Sequence, residues 1–213
     1  MEGERPRLRE RLARRPWPNG AWKGPSLNRL IPNILTMIGL CCGLVAIRFA
    51  VDGRFEHAAA FIVVAGVIDG LDGRIARLLK GTSRFGAEFD SLSDFLCFGV
   101  APALVLYLWT LHAPGPLGFV PCVMFAVCSS LRLARFNAAS IAEPGAPPPP
   151  PKPAFASNFF TGVPAPAGAG LALFPLFASL AFAEWGWDGL AAALRHPLLA
   201  AVILLVVGGL MVS

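Results

Sequence analysis

From residue 31 onward the chain is built of apolar runs of about 20 residues separated by short polar breaks. That length is what a helix needs to cross the ~30 Å hydrocarbon core of a bilayer at ~1.5 Å per residue. The runs predict six spans, at roughly Ile31–Val51, Glu56–Leu79, Phe89–Leu111, Leu117–Leu133, Gly162–Phe182 and Pro197 to Ser213. The breaks carry turn chemistry: Asp52-Gly53-Arg54 follows the first run and His112-Ala113-Pro114-Gly115-Pro116 the third. Between the fourth and fifth, GAPPPPPKP reads as a stiff polyproline spacer. The expected fold class is an all-α, multi-pass membrane protein, with a polar arm over residues 1–29 and a transmembrane domain over 30–213.

One stretch breaks the apolar pattern in the wrong place for a simple span. DGLDGRIARLLKGTSRFGAEFDSLSD, residues 69–94, sets Asp69, Asp72, Asp90 and Asp94 beside or inside membrane-spanning sequence. Asp69 and Asp72 are three apart and Asp90 and Asp94 four apart, so each pair projects from one helix face. A short break containing Gly81 and Gly86 separates the pairs, which lets two neighbouring helices aim all four acids at one point. Carboxylates at membrane depth are costly unless neutralised and mark function by default.

Charge supplies the orientation. The chain carries a net +5, and Arg5, Arg7, Arg9, Arg11, Arg14, Arg15 and Lys23 precede the first span. The second-to-third connection (Arg74, Arg77, Lys80, Arg84) and the fourth-to-fifth (Arg132, Arg135, Lys152) are also basic, whereas the opposite loops are not. By the positive-inside rule the N-terminus and the acids face the cytoplasm of a cell (inner) membrane. An arginine arm just before a span serves orientation and anionic lipid, and with no base-reading aromatics beside it no nucleic-acid partner is expected. No cleavable signal peptide is evident. Cys41, Cys42, Cys97, Cys122 and Cys128 lie in apolar runs without metal-ligand spacing, which predicts small buried hydrophobes rather than disulfides.

With no His or Cys nearby, a convergent set of carboxylates suits hard divalent cations such as Mg²⁺ or Mn²⁺. Two such ions would clamp a phosphoryl centre. Gly70, Gly73 and Gly86 remove side chains where backbone meets a bulky ligand, Arg74, Arg77 and Lys80 offer charge to phosphate, and Ser83 a hydroxyl. One acid can instead take a proton from an incoming hydroxyl, and Asp94, the last of the set, is the candidate. Helix caps, ion pairs with the arginines, or the ion path of a small cation transporter remain open for the acids. Asn33, beside Pro32 at the start of the first span, is either a cap or a ligand contact.

Asp69-x-x-Asp72-Gly73-x-x-Ala76-Arg77, eight residues, then Gly86-x-x-x-Asp90-x-x-x-Asp94 resembles the signature of the CDP-alcohol phosphotransferase family at every position. The resemblance implies a six-helix membrane core, usually a homodimer, that displaces CMP from a CDP-linked lipid or alcohol using divalent metal. It implies that Asp69, Asp72 and Asp90 are metal ligands and that Asp94 is both ligand and general base. Gly73, Arg77, Ser83 and Gly86 match positions around the CDP moiety, and Pro32-Asn33 resembles the first-helix stretch lining the same pocket.

RLIPNILTMIGLCCGLVAI, SLSDFLCFGVAPALVLY and the pair LRLARFN and FFTGVPAPAGAG are similar to the membrane-embedded phosphatidylserine synthases within that family. That likeness, over roughly residues 28–170, implies CDP-diacylglycerol and L-serine as substrates. Arg132 and Arg135 could meet the carboxylate of serine, with Asn137 orienting it, or the arginines could anchor the helix among lipid headgroups. Glycerol 3-phosphate, inositol phosphate or choline are the alternative acceptors. The chain departs from that pattern in its longer arginine arm and in ending directly after the sixth span, where further C-terminal helices are expected in such enzymes.

Overall fold

The computed structural model describes residues 27–79, 83–140 and 162–213. The arginine arm, Lys80-Gly81-Thr82 and the proline-rich segment lie outside the described residues. All regular structure among the described residues is helical.

The first two helices, α1 (Leu27–Val51) and α2 (Phe55–Leu78), form a hairpin closed by Asp52-Gly53-Arg54. Gly53 takes φ 74°, a left-handed conformation that any side chain would strain. Ala46, Ala50, Ala58, Ala59 and Ala65 are buried, and small side chains of this kind let helix backbones approach closely without a hydrophobic drive from water. The outward face is apolar instead: Leu44, Val63, Val64 and Val67 are exposed, as a lipid-facing surface requires.

The next segment begins at Ser83, whose side chain caps α3 (Arg84–Asp94), and continues as a π-helical turn, Phe95–Val100, into α4 (Ala101–Leu106) and a second π-helical turn, Tyr107–Leu111. π-helical turns inside α-helices recur at functional sites, and the first follows Asp94 directly. The segment packs hard against α1: a Cβ on Gly43 would stand 2.6 Å from Cys97 Sγ and 3.3 Å from Cys97 Cα. A 3₁₀ turn, Gly115–Phe119, leads into α5 (Val120–Ser140), followed by α6 (Ala165–Glu184), α7 (Asp188–Leu194) and α8 (Pro197–Val212). Phe98 and Phe125 are fully buried at the centre, and a Cβ on Gly208 of α8 would stand 3.5 Å from Phe125 Cα.

Leu30–Val51, Phe85–Leu111, Gly115–Ala138 and Ala165–Glu184 are long and apolar enough to cross a membrane. The pair α7 and α8, bent by 51°, makes a fifth if taken as one broken span. At 24 residues α2 is long enough, but its C-terminal half carries Asp69, Asp72, Arg74 and Arg77, too many charges for an unassisted crossing.

Three local expectations change. Helix α1 starts at Leu27, so Pro32 and Asn33 lie inside it rather than at its opening; a proline this near the start forfeits a single backbone bond. Helix α5 runs two turns past Leu133, which puts Arg132, Arg135 and Asn137 within the helix. All five cysteines are free as expected, but Cys41 is exposed on the outer face of α1 while Cys42, Cys97 and Cys122 are buried.

Candidate active site

Helix α2 presents Asp69 and Asp72 one turn apart, and α3 presents Asp90 and Asp94 one turn apart. All four line one small pocket with Thr36 and Ser93. One carboxylate oxygen from each of Asp69, Asp72 and Asp90 lies within 4.8 Å of the others. Asp94 lines the same pocket and stands outside that trio. Asp72 is buried, and its Oδ2 accepts a 2.8 Å hydrogen bond from the Thr36 hydroxyl.

Two of the simpler readings of the acids do not fit this geometry. Ser83 caps α3, and Asp94 makes no side-chain cap at the helix turn it precedes. The ion pair found among the described residues is Arg48–Asp52, at the opposite end of α1, so among the described residues no salt bridge reaches the cluster. What the donor set fits is a hard cation. Metal–oxygen bonds of about 2.0–2.6 Å place ligands up to about 4–5 Å apart across an ion, the separation seen for the three carboxylates. Such an ion would also relieve the repulsion of clustered like charges in a low-dielectric setting.

A cleft of about 420 Å³ opens off this pocket and shares Thr36, Asp72 and Asp90 with it. Pro32, Asn33, Gly73, Arg77, Ser83 and Gly86 all line it, so the six positions expected around a nucleotide lie together on one wall system. Gly86 is what lets α3 start so near α1: a Cβ there would stand 2.9 Å from Asn33 Oδ1 and 3.0 Å from Ser83 Oγ. Ser83 Oγ accepts from the Gly86 N–H at 2.9 Å, so cap and cleft wall are one structure. Since Asn33 is interior to α1 and faces the cleft, its capping role falls away. Arg77 is exposed, with Nε donating to the Gly73 carbonyl at 3.0 Å.

The acceptor candidates diverge. Arg132 has its Nε buried without a hydrogen-bond partner. Arg135 instead donates to the Val212 carbonyl at 2.5 Å, tying α5 to the end of α8. Asn137 donates to Ser91 Oγ at 3.0 Å, joining α5 to α3. Thr36, Ser93 and Phe136 join the site without having been expected there: the first two line the acid pocket, and Thr36 and Phe136 the cleft. Thr36 had a signal: it sits one turn after Pro32, on the helix face that bears the cleft residues.

A family model for CDP-alcohol phosphatidyltransferase matches residues 29–207, which takes in every residue of the acid pocket and the cleft. The chain belongs to this family. Relatives of this chain include the CDP-diacylglycerol–serine O-phosphatidyltransferase of Mycobacterium tuberculosis, 44% identical over 159 residues, covering 75% of this chain and 53% of the relative. The protein of the same name from Helicobacter pylori is 42% identical over 108 residues, 51% of this chain and 46% of its own. That from Methanocaldococcus jannaschii is 34% identical over 139 residues, 65% and 56%. The chain thus spans about half the length of the curated relatives it matches.

Proposed function

We propose that this chain transfers the phosphatidyl group of CDP-diacylglycerol to the hydroxyl of L-serine, giving phosphatidylserine and CMP. The observation that carries this is the junction of the Asp cluster with a cleft lined by all six expected nucleotide contacts. The choice of serine is supported by the names of the relatives and by Arg132, whose buried Nε lacks a hydrogen-bond partner and suits a carboxylate.

Asp69, Asp72 and Asp90 would hold Mg²⁺ or Mn²⁺, with Asp94 at hand for a second ion; bound there, the metal supplies charge to the pyrophosphate oxygens. Arg77, Ser83, Asn33 and the bare backbone at Gly73 and Gly86 bind the CDP group. Arg132 orients serine by its carboxylate, with Arg135 and Asn137 in supporting positions along α5. Asp94 accepts the proton of the serine hydroxyl as its oxygen bonds to the lipid-bearing phosphorus. The bond from that phosphorus to the bridging oxygen breaks, and CMP leaves with the electron pair.

Around this centre, residues 30–213 form a six-span domain in which α2 crosses the membrane with its acids shielded inside the bundle and α7–α8 makes the last crossing. Residues 1–29 form a cytoplasmic arm, the active site faces the cytoplasm of the cell membrane, and the assembly is a homodimer. Purified protein given CDP-diacylglycerol, Mg²⁺ or Mn²⁺ and one acceptor at a time tests the reading by CMP release. Release with serine supports it; release with glycerol 3-phosphate, inositol phosphate or choline but none with serine moves the assignment to that acceptor.

A further inference from the structure

Thr36 lies where α1 meets both acid-bearing helices. Its hydroxyl is 2.8 Å from Asp72 Oδ2 on α2, and its backbone carbonyl accepts from Ser93 Oγ on α3 at 3.4 Å, next to Asp94. Thr36 and Asp72 are both buried, at 6% and 4% exposure, so water does not replace either contact readily. A threonine hydroxyl in a helix usually returns to the carbonyl one turn back, and that acceptor is present: the Pro32 carbonyl stands 3.1 Å away. The hydroxyl has one proton for two acceptors. The shorter contact and the charge-assisted bond both favour Asp72.

We propose that Thr36 is a positioning residue that aims the Asp72 carboxylate at a divalent cation. Among the described residues it is the only side-chain donor to Asp72. The β-branched side chain is stiff at χ1, so the hydroxyl fixes the carboxylate against rotation in a way a longer donor would not. Groups that orient metal ligands from behind contribute about 10–100-fold to metal affinity. A small ion demanding near-ideal octahedral geometry depends on that orientation more than a large, flexible one. Removing the hydroxyl therefore weakens Mg²⁺ more than Ca²⁺.

The proposal rests on the reading of the acids as a metal site, and the experiment separates the two. Mg²⁺ and Ca²⁺ affinities are measured by calorimetry on the purified protein in detergent, for wild type, Thr36→Val, Thr36→Ala and Thr36→Ser. Thr36→Val keeps the shape without the donor; Thr36→Ala serves if the valine variant does not fold. The expected result is about a tenfold loss of Mg²⁺ affinity in the variants lacking the hydroxyl, a smaller loss for Ca²⁺, and recovery to within about twofold of wild type in Thr36→Ser. Unchanged Mg²⁺ affinity in Thr36→Val or Thr36→Ala overturns the role of Thr36 while leaving the metal site standing. A Thr36→Ser variant as weak as Thr36→Val assigns the effect to the methyl group and overturns it equally. A wild type that binds neither ion overturns the metal site, and this assignment with it.

Discussion

Replacing Gly73 by alanine separates a glycine kept for the fold from one kept for a ligand. A Cβ built on Gly73 meets nothing within 4 Å, and the same is true of Gly70, one turn earlier in α2. On fold grounds alone both changes are favourable, since alanine in a helix interior is worth about 0.5–1 kcal/mol over glycine. For a chain of this size about 1 kcal/mol raises Tm by about 2–4 °C. The two positions differ in what they face: Gly73 lines the cleft beside Asp72 and Arg77, and Gly70 does not. If CDP packs on bare backbone there, the added methyl costs about 1–3 kcal/mol of overpacking, a rise in KM for CDP-diacylglycerol of about 5- to 150-fold. Gly73→Ala should therefore melt slightly higher yet bind substrate worse, while Gly70→Ala melts higher with KM unchanged. Melting curves and CMP-release kinetics on the two variants read both quantities. A Gly73→Ala protein with wild-type KM would refute the placement of the nucleotide.

Asp94→Asn should abolish turnover while CDP-diacylglycerol binding, followed by protection against thermal unfolding, stays near wild type; a near-normal rate contradicts its role as base. Arg132→Gln should raise KM for serine by at least about tenfold, as loss of a charge-assisted bond implies, and leave KM for CDP-diacylglycerol within about twofold; equal changes in both would place Arg132 elsewhere. Gly43→Ala should destabilise the fold by about 1–3 kcal/mol, because its Cβ meets Cys97 Sγ at 2.6 Å; melting of the variant, with Gly43→Ala/Cys97→Ala as the relieving pair, checks it.

The acids were legible because helix periodicity alone turns spacings of three and four into shared faces, and the structure brings all four to one pocket. The positions expected around a nucleotide were legible only as a signature, since nothing in periodicity says that Asn33 on α1 would face Ser83 and Gly86 at the start of α3. What hydropathy could not convey is how each polar side chain spends its hydrogen bonds. Arg132 and Arg135 sit three apart on α5, yet one is left without a partner at Nε and the other closes onto Val212. The π-helical turn after Asp94 is invisible for a related reason: Phe95–Val100 reads as ordinary apolar helix, and the wider turn belongs to its packing among α1, α5 and α6. Thr36 was legible as a polar residue in an apolar run, but its partner lies on another helix.

The Asp pocket is proposed to drive phosphatidyl transfer to serine. Incorporation of radiolabelled L-serine into lipid by the purified protein, with CDP-diacylglycerol and Mg²⁺ or Mn²⁺, tests it directly. The expected result is label in phosphatidylserine with equimolar CMP, lost on chelation of the metal and in Asp90→Asn. Labelled lipid formed equally well by Asp90→Asn, or none formed by the wild type with either metal, would contradict it.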